Sequence, residues 1–252
     1  MPQEPLFKPH TLTDADKQQL GADGHLALPG LLTDEAQKRL IGALSHIQDI
    51  SETQDLLPEP KRYAAEYDDH LASLIGHPQM LDLVRWMLGP EIRFDHCVTL
   101  NRRSGNDGLR WHSHSYGEEN PTLSFVRIFL YVNGFTVNDA GLKVIPGSHL
   151  FHDSGIKAAT DEELLKGWMA GKVHPLTSKP LEIEPIEVPP GTVILMWTHA
   201  AHGVTARKPD SDTRWTVVYA YRNPGEPSAA RWISEDFEQT DTPGTEGLMS
   251  LY

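Results

Sequence analysis

The sequence predicts a mainly β fold with N-terminal helices, a double-stranded β-helix or jelly roll. Two observations carry that expectation. Up to residue 90 the chain shows capped, helix-period segments, and after Glu91 it breaks into short apolar runs separated by turn residues. Helices first and then a run of strands favours a double-sheeted jelly roll buttressed by N-terminal helices. The expected organisation is one domain over 1–252: a helical buttress (1–90), a jelly-roll core (91–225) and a C-terminal tail (226–252).

In chain order, Thr13 caps a short helix to about Leu20, with Asp14 and Asp16 in its first turn and Gly21 and Gly24 as breakers. A short strand at 25–28 stops at Pro29-Gly30. Thr33 caps a second helix whose Leu40, Ile41, Leu44 and Ile47 form one apolar face. Residues 51–67 carry Pro58 and Pro60 and no clear period, which reads as a loop or lid. Pro78 opens a third helix, with Met80, Leu81, Val84, Met87 and Leu88 inward and Gly89-Pro90 ending it. Strands are expected at 92–100, 109–114, 123–132, 142–145, 181–188, 192–197 and 215–221, and a helical insertion at 161–169. The connections 105–108, 138–141, 146–147 and 189–191 are rich in Gly, Pro, Asn and Asp, whose backbone preferences suit turns.

Composition removes whole classes of function. Lys plus Arg is 22 against 35 for Asp plus Glu, a formal charge of -13 that repels nucleic acid and anionic membrane surfaces. One cysteine, Cys97, excludes an internal disulfide and suits a reducing cytosol. The apolar runs are too short to span a bilayer, and Met1-Pro2-Gln3-Glu4-Pro5 lacks signal-peptide character, so the expectation is a soluble, cytoplasmic protein. No glycine-rich phosphate loop, Gly-x-Ser-x-Gly element or CxxC pair is present, which leaves kinase and hydrolase readings without support.

The chemistry concentrates in Leu109-Arg110-Trp111-His112-Ser113-His114-Ser115-Tyr116. Two histidines two apart on a strand point to the same side and can share a metal. A third, His202, follows the apolar run 192–197. Two ligands from one strand and one from a distant strand close a metal site at the mouth of a β-barrel, with open positions for substrate or oxygen. His149 reads as ordering its own turn, and Trp111 and Trp197 as pocket wall or core. Cys97 in an apolar strand reads as inert, and the acidic pairs 68–69 and 162–163 as solvated faces.

These parts resemble the phytanoyl-CoA dioxygenase-like family of Fe(II)- and 2-oxoglutarate-dependent oxygenases over nearly the whole chain. The resemblance is carried by Gly24-His25-Leu26-Ala27-Leu28-Pro29-Gly30-Leu31-Leu32, by Trp111-His112-Ser113-His114, by Gly141-Leu142-Lys143-Val144-Ile145-Pro146-Gly147-Ser148-His149, and by His202-Gly203 followed by Arg214. It implies a cupin-like jelly roll in which His112 and His202 bind iron, Arg214 holds the carboxylate of 2-oxoglutarate and Asn101 is a further cosubstrate contact. It also implies oxidation of a small organic molecule with O2. Three facial ligands on ferrous iron leave three positions, enough for a bidentate 2-oxo acid and dioxygen. A planar guanidinium meets the far carboxylate with two bonds.

The family pattern has Asp where this chain has His114. Four readings of that difference stand. His114 ligates directly, giving a three-histidine site; Glu118 or Glu119 supplies a carboxylate, an arrangement similar to the metal motif of cupins; the metal is Zn or Cu rather than iron; or the site is a catalytically impaired relic of the fold. A three-histidine dioxygenase independent of 2-oxoglutarate is the competing enzyme reading. Val204 stands where the family often has a hydroxyl residue, with Thr205 the nearest substitute. The long segments 51–67 and 155–178 are expected to border the pocket.

Overall fold

A computed structural model describes residues 4–114, 124–153, 155–225, 231–240 and 242–251. The N-terminal region forms helix α1 (Asp14–Asp23), strand β1 (His25–Leu28), and helices α2 (Asp34–Thr53), α3 (Asp69–Ile75) and α4 (Pro78–Leu88). Then come β2 (Arg93–Thr99), β3 (Leu109–His112), β4 (Phe125–Tyr131), β5 (Leu142–Val144) and β6 (Lys157–Ala158), followed by α5 (Asp161–Lys166), β7 (Glu184–Pro185), β8 (Thr192–Trp197), β9 (His202–Val204), β10 (Thr216–Arg222) and α6 (Glu235–Glu238). The strands build two five-stranded sheets, one ordered β1-β8-β4-β10-β2 and the other β6-β3-β9-β5-β7. Every pairing is antiparallel. This is the predicted mainly β, double-sheeted fold with N-terminal helices.

Strand alternation divides the larger sheet cleanly. Val126, Ile128, Leu130, Val193, Leu195, Val217 and Tyr219 face outward into a core shared with the helices, through Leu40, Leu44, Ile47, Leu71 and Val84. Phe129, Tyr131, Ile194, Met196 and Val218 face inward, against Leu142, Val144 and Val204 of the smaller sheet. Because both faces are covered, these strands read as continuous apolar runs. Phenolic hydroxyls clamp α3 to the sheet: Tyr219 donates to the Leu71 carbonyl at 2.9 Å and Tyr221 to that of Ile75 at 2.8 Å.

The capped helices behave as their sequences dictate. Thr13 accepts from the Asp16 amide while Asp16 accepts in return from Thr13, a reciprocal cap, and Gly24 ends α1 at φ +85°. Thr33 caps α2. Several expectations need correction. α1 runs through Gly21 to Asp23, and α2 continues to Thr53, into the expected loop. Ile41 is 38% exposed, off the buried stripe. Asp68 is not merely solvated; it caps α3, accepting from the Leu71 amide at 3.0 Å. The expected strand 181–188 shrinks to the Glu184–Pro185 pair, an edge rung where alternating glutamates and a proline limit pairing. His202 lies within a strand of its own, β9. No helix among the described residues is long and apolar enough to cross a membrane.

Candidate metal centre

The metal strand is shorter than expected. β3 ends at His112, so His114 lies two residues past the last ladder pair. β9 pairs antiparallel with β3, and the register sets His112 directly opposite His202. Their ring centroids are 4.2 Å apart, His112 and His114 are 4.8 Å apart, and His114 and His202 are 5.3 Å apart. Candidate ligand atoms of all three lie within 4.8 Å of one another, the one such His, Cys, Asp or Glu group among the described residues. Glu118 and Glu119, the alternative carboxylates, lie outside the described residues.

Hydrogen bonds fix how two of the rings are presented. His112 Nδ1 donates to the Arg110 carbonyl at 2.9 Å, and His202 Nδ1 donates to the Ala200 carbonyl at 2.9 Å. Each bond holds the proton on Nδ1 and leaves the Nε2 lone pair for a metal. Burial is the largest influence on all three rings and lowers their pKa, with Arg127 adding a further lowering to each. The rings are therefore neutral at physiological pH, the state that binds metal. The turn around Ser148 shores up this strand: Ala201 N donates to Ser148 Oγ at 2.8 Å and Ile145 N to the Ala201 carbonyl at 3.1 Å. His149 secures that turn to α1 through Gly21 O at 3.1 Å. The His199 ring hydrogen-bonds the main chain of His114.

A line of aromatic faces leads from the histidines to Arg214. Phe129 lies 6.3 Å from His202 and stacks 5.9 Å from Tyr131; the Arg214 guanidinium carbon sits 5.2 Å from the Tyr131 ring and 5.6 Å from that of Phe135. Arg214 is 2% exposed, and its Nη1 donates to the Ala140 carbonyl. Burial lowers its pKa to about 10, so it stays charged near neutrality. Its Nε and the Thr216 hydroxyl, two residues on, are both buried without a hydrogen-bond partner among the described residues. Buried donors left this way are uncommon and fit a ligand that accepts from both.

Asn101 accepts from the Thr216 amide at 3.2 Å and donates to the Leu44 carbonyl at 3.4 Å, fastening α2 to the backbone of β10. The Thr205 hydroxyl is taken up by the 137–141 loop, donating to Val137 O at 2.9 Å and accepting from the Gly141 amide at 2.8 Å. Sequence reasoning passed over two side chains. Thr216 sits on a β-branched strand where a threonine looks ordinary. Arg127 carried a legible signal, a lone charge inside Phe125-Val126-Arg127-Ile128-Phe129-Leu130-Tyr131, and it is 4% exposed.

Comparison with family models gives a match to phytanoyl-CoA dioxygenase (PhyH) over residues 21–214. The chain belongs to the phytanoyl-CoA dioxygenase family. The match takes in all three clustered histidines and closes on Arg214. Solved structures with the same fold include EctD from S. alaskensis with 2-oxoglutarate and 5-hydroxyectoine, 18% identical, covering 84% of this chain and 76% of that one, with a TM-score of 0.65. The non-haem α-ketoglutarate-dependent carbocyclase SnoK from nogalamycin biosynthesis is 16% identical, with 86% and 88% covered and a TM-score of 0.66. AviO1 from Streptomyces viridochromogenes Tue57 is 16% identical, with 88% and 100% covered and a TM-score of 0.66. No curated protein matches the sequence. At these identities the neighbours establish the fold for this phytanoyl-CoA dioxygenase family member, and its own side chains carry the chemistry.

Proposed function

We propose that this protein is a non-haem Fe(II)- and 2-oxoglutarate-dependent dioxygenase that hydroxylates or otherwise oxidises a small organic molecule with O2. The observation that carries this reading is the pairing of a three-imidazole cluster with a buried guanidinium. Arg214 and Thr216 hold orphaned donors on the far side of one aromatic wall. His112, His114 and His202 are the metal ligands. Arg214 binds the cosubstrate carboxylate, the Thr216 hydroxyl assists it, and Asn101 acts by holding the Thr216 backbone in place.

The donor set fits ferrous iron, since imidazole suits it and three ligands leave room for a chelating acid. Bound together, Fe(II) and 2-oxoglutarate supply the oxidising chemistry, driven by decarboxylation of the acid. What the chain adds is position and charge. Three neutral rings bring no negative charge to a divalent ion, so the cosubstrate's carboxylates neutralise it, and cosubstrate binding should strengthen metal retention. Phe129 and Tyr131 exclude water between the metal and Arg214, which strengthens the salt bridge at its far end.

The test is an anaerobic titration of metal-free protein with Fe(II) and then 2-oxoglutarate, following the visible charge-transfer band of the chelate. Appearance of the band, followed by succinate release in a substrate screen, supports the reading. Iron uptake without the band moves the cosubstrate-independent three-histidine enzyme ahead, and failure to take up iron removes the oxygenase reading.

A further inference from the structure

The strand pairing that places His112 and His202 stops short of His114. His112 is the last residue of β3 to pair on either side, with Lys157 of β6 and with His202 of β9. Past it, two loops take over. The first follows the 148–151 turn, where the Asp153 carbonyl accepts from the Ser113 hydroxyl at 2.6 Å. That loop is itself anchored: the Asp153 carboxylate accepts from Trp168 Nε1 at 2.7 Å, and Trp168 packs edge-on against Phe151 at 5.4 Å. The second is the 198–201 turn between β8 and β9. Its His199 ring hydrogen-bonds the His114 main chain, and because His199 Nδ1 is buried without a partner among the described residues, Nε2 makes that bond.

The two loops meet behind His114. The His152 ring lies 5.2 Å from that of His199, its plane turned by 61°. His152 is held there at φ +48°, a left-handed conformation that residues with a side chain seldom adopt. The 198–201 turn is fixed in its own right, since Ala201 N donates to Ser148 Oγ at 2.8 Å. It also serves His202, whose Nδ1 donates to the Ala200 carbonyl at 2.9 Å. One short turn thus touches two of the three clustered histidines, one through its ring and the other through its backbone. Without such support the residues past a ladder keep their backbone and side-chain freedom, and ordering them on metal binding costs affinity.

We propose that His199 is a positioning residue for His114: its bond to the His114 main chain, backed by the His152 ring, takes the place of the missing ladder rung and holds the third imidazole in reach of the metal. The assignment deepens the three-histidine reading of the metal site and rests on it. Groups that orient metal ligands from behind contribute roughly tenfold to a hundredfold in metal affinity. His199 does this through the backbone of the ligand, so its effect exists only while His114 is there to be held.

The probe is Fe(II) alone, its affinity for the full chain measured anaerobically by competition with a chromophoric chelator. H199A should bind Fe(II) roughly tenfold to a hundredfold more weakly than wild type. H199Q, whose amide nitrogen falls near the position of the imidazole Nε2, should recover most of that loss. H114A should lose at least as much as H199A, and H114A/H199A should bind no more weakly than H114A, because the two act as one unit. H152G removes the backing ring and relieves the left-handed backbone, so it should bind Fe(II) severalfold more weakly while its urea midpoint stays close to wild type. Wild-type affinity in H199A overturns the proposal, as do losses that add in H114A/H199A or an H199Q no better than H199A. If H199A does not fold, wild-type affinity in H152G overturns it instead. Wild-type affinity in H114A is a different failure: it shows that His114 is no ligand and removes the three-histidine reading together with the proposal built on it.

Discussion

His149 links the acid stability of the fold to the architecture of the site. Its ring is buried against Gly24, donates through Nε2 to Gly21 O and leaves Nδ1 without a partner among the described residues. Burial, with the neighbouring His152, His174 and His199, lowers its pKa to about 4, whereas the unfolded chain titrates near its ordinary value of 6.5. Below about pH 6.5 the unfolded state takes up a proton that the folded state refuses. Stability therefore falls with pH across the window from 6.5 to about 4 and is flat above it. At about 1.4 kcal/mol per pH unit, roughly 2 kcal/mol has been lost at about pH 5, and about 3 kcal/mol at the bottom of the window. His149→Gln keeps a donor for Gly21 O but cannot titrate. Urea unfolding of both proteins at about pH 7.5 and about pH 5 reports mainly on this ring, because histidines that do not interact with it cancel in the double difference. The variant's stability relative to wild type should improve by roughly 2 kcal/mol on going to the lower pH, or nearly 1 M in midpoint. A double difference below about 0.5 kcal/mol would mean that the ring is neither buried nor neutral as described.

Three further outcomes are expected. Arg214→Ala should weaken 2-oxoglutarate binding by 2–5 kcal/mol, about thirtyfold to several thousandfold, while Fe(II) affinity holds; an unchanged band titration removes its assigned role. Gly141→Ala would place a methyl 2.5 Å from Val137 O, displacing the neighbouring Ala140 carbonyl that Arg214 grips. A loss of about 1–3 kcal/mol in urea, with weaker cosubstrate binding, should result, and wild-type values for both would show the turn to be pliable. Cys97, buried and raised to about 12, should resist iodoacetamide in native protein at neutral pH and react on unfolding; rapid native labelling, read by mass, would contradict its burial.

The larger sheet was readable because its strands are buried on both faces, so 92–100, 123–132, 192–197 and 215–221 stand out as apolar runs. The smaller sheet has strands of two to four residues, where no period can establish itself, and Lys157–Ala158 passed unseen. α3 hid for a related reason: seven residues give barely two turns, and its start is an acidic pair that also reads as surface. At the site, strand alternation placed His112 and His114 on one side, although the strand stops between them. The hydroxyl sought beside His202 was looked for at Thr205. The orphaned one belongs to Thr216, whose meaning comes only from standing two residues past a buried arginine.

The three histidines do not share the same mechanical standing. His112 and His202 face each other as ladder partners, so their separation is set by interstrand spacing and neither can move without shearing the sheet. His114 follows the ladder's end. A change of residue type there alters the charge delivered to the centre without asking the sheet to change register. For the metal site proposed above, the scaffold would separate where the ion sits from how much charge it is given, and an exchange between aspartate and histidine at this position would retune the centre on an unchanged frame.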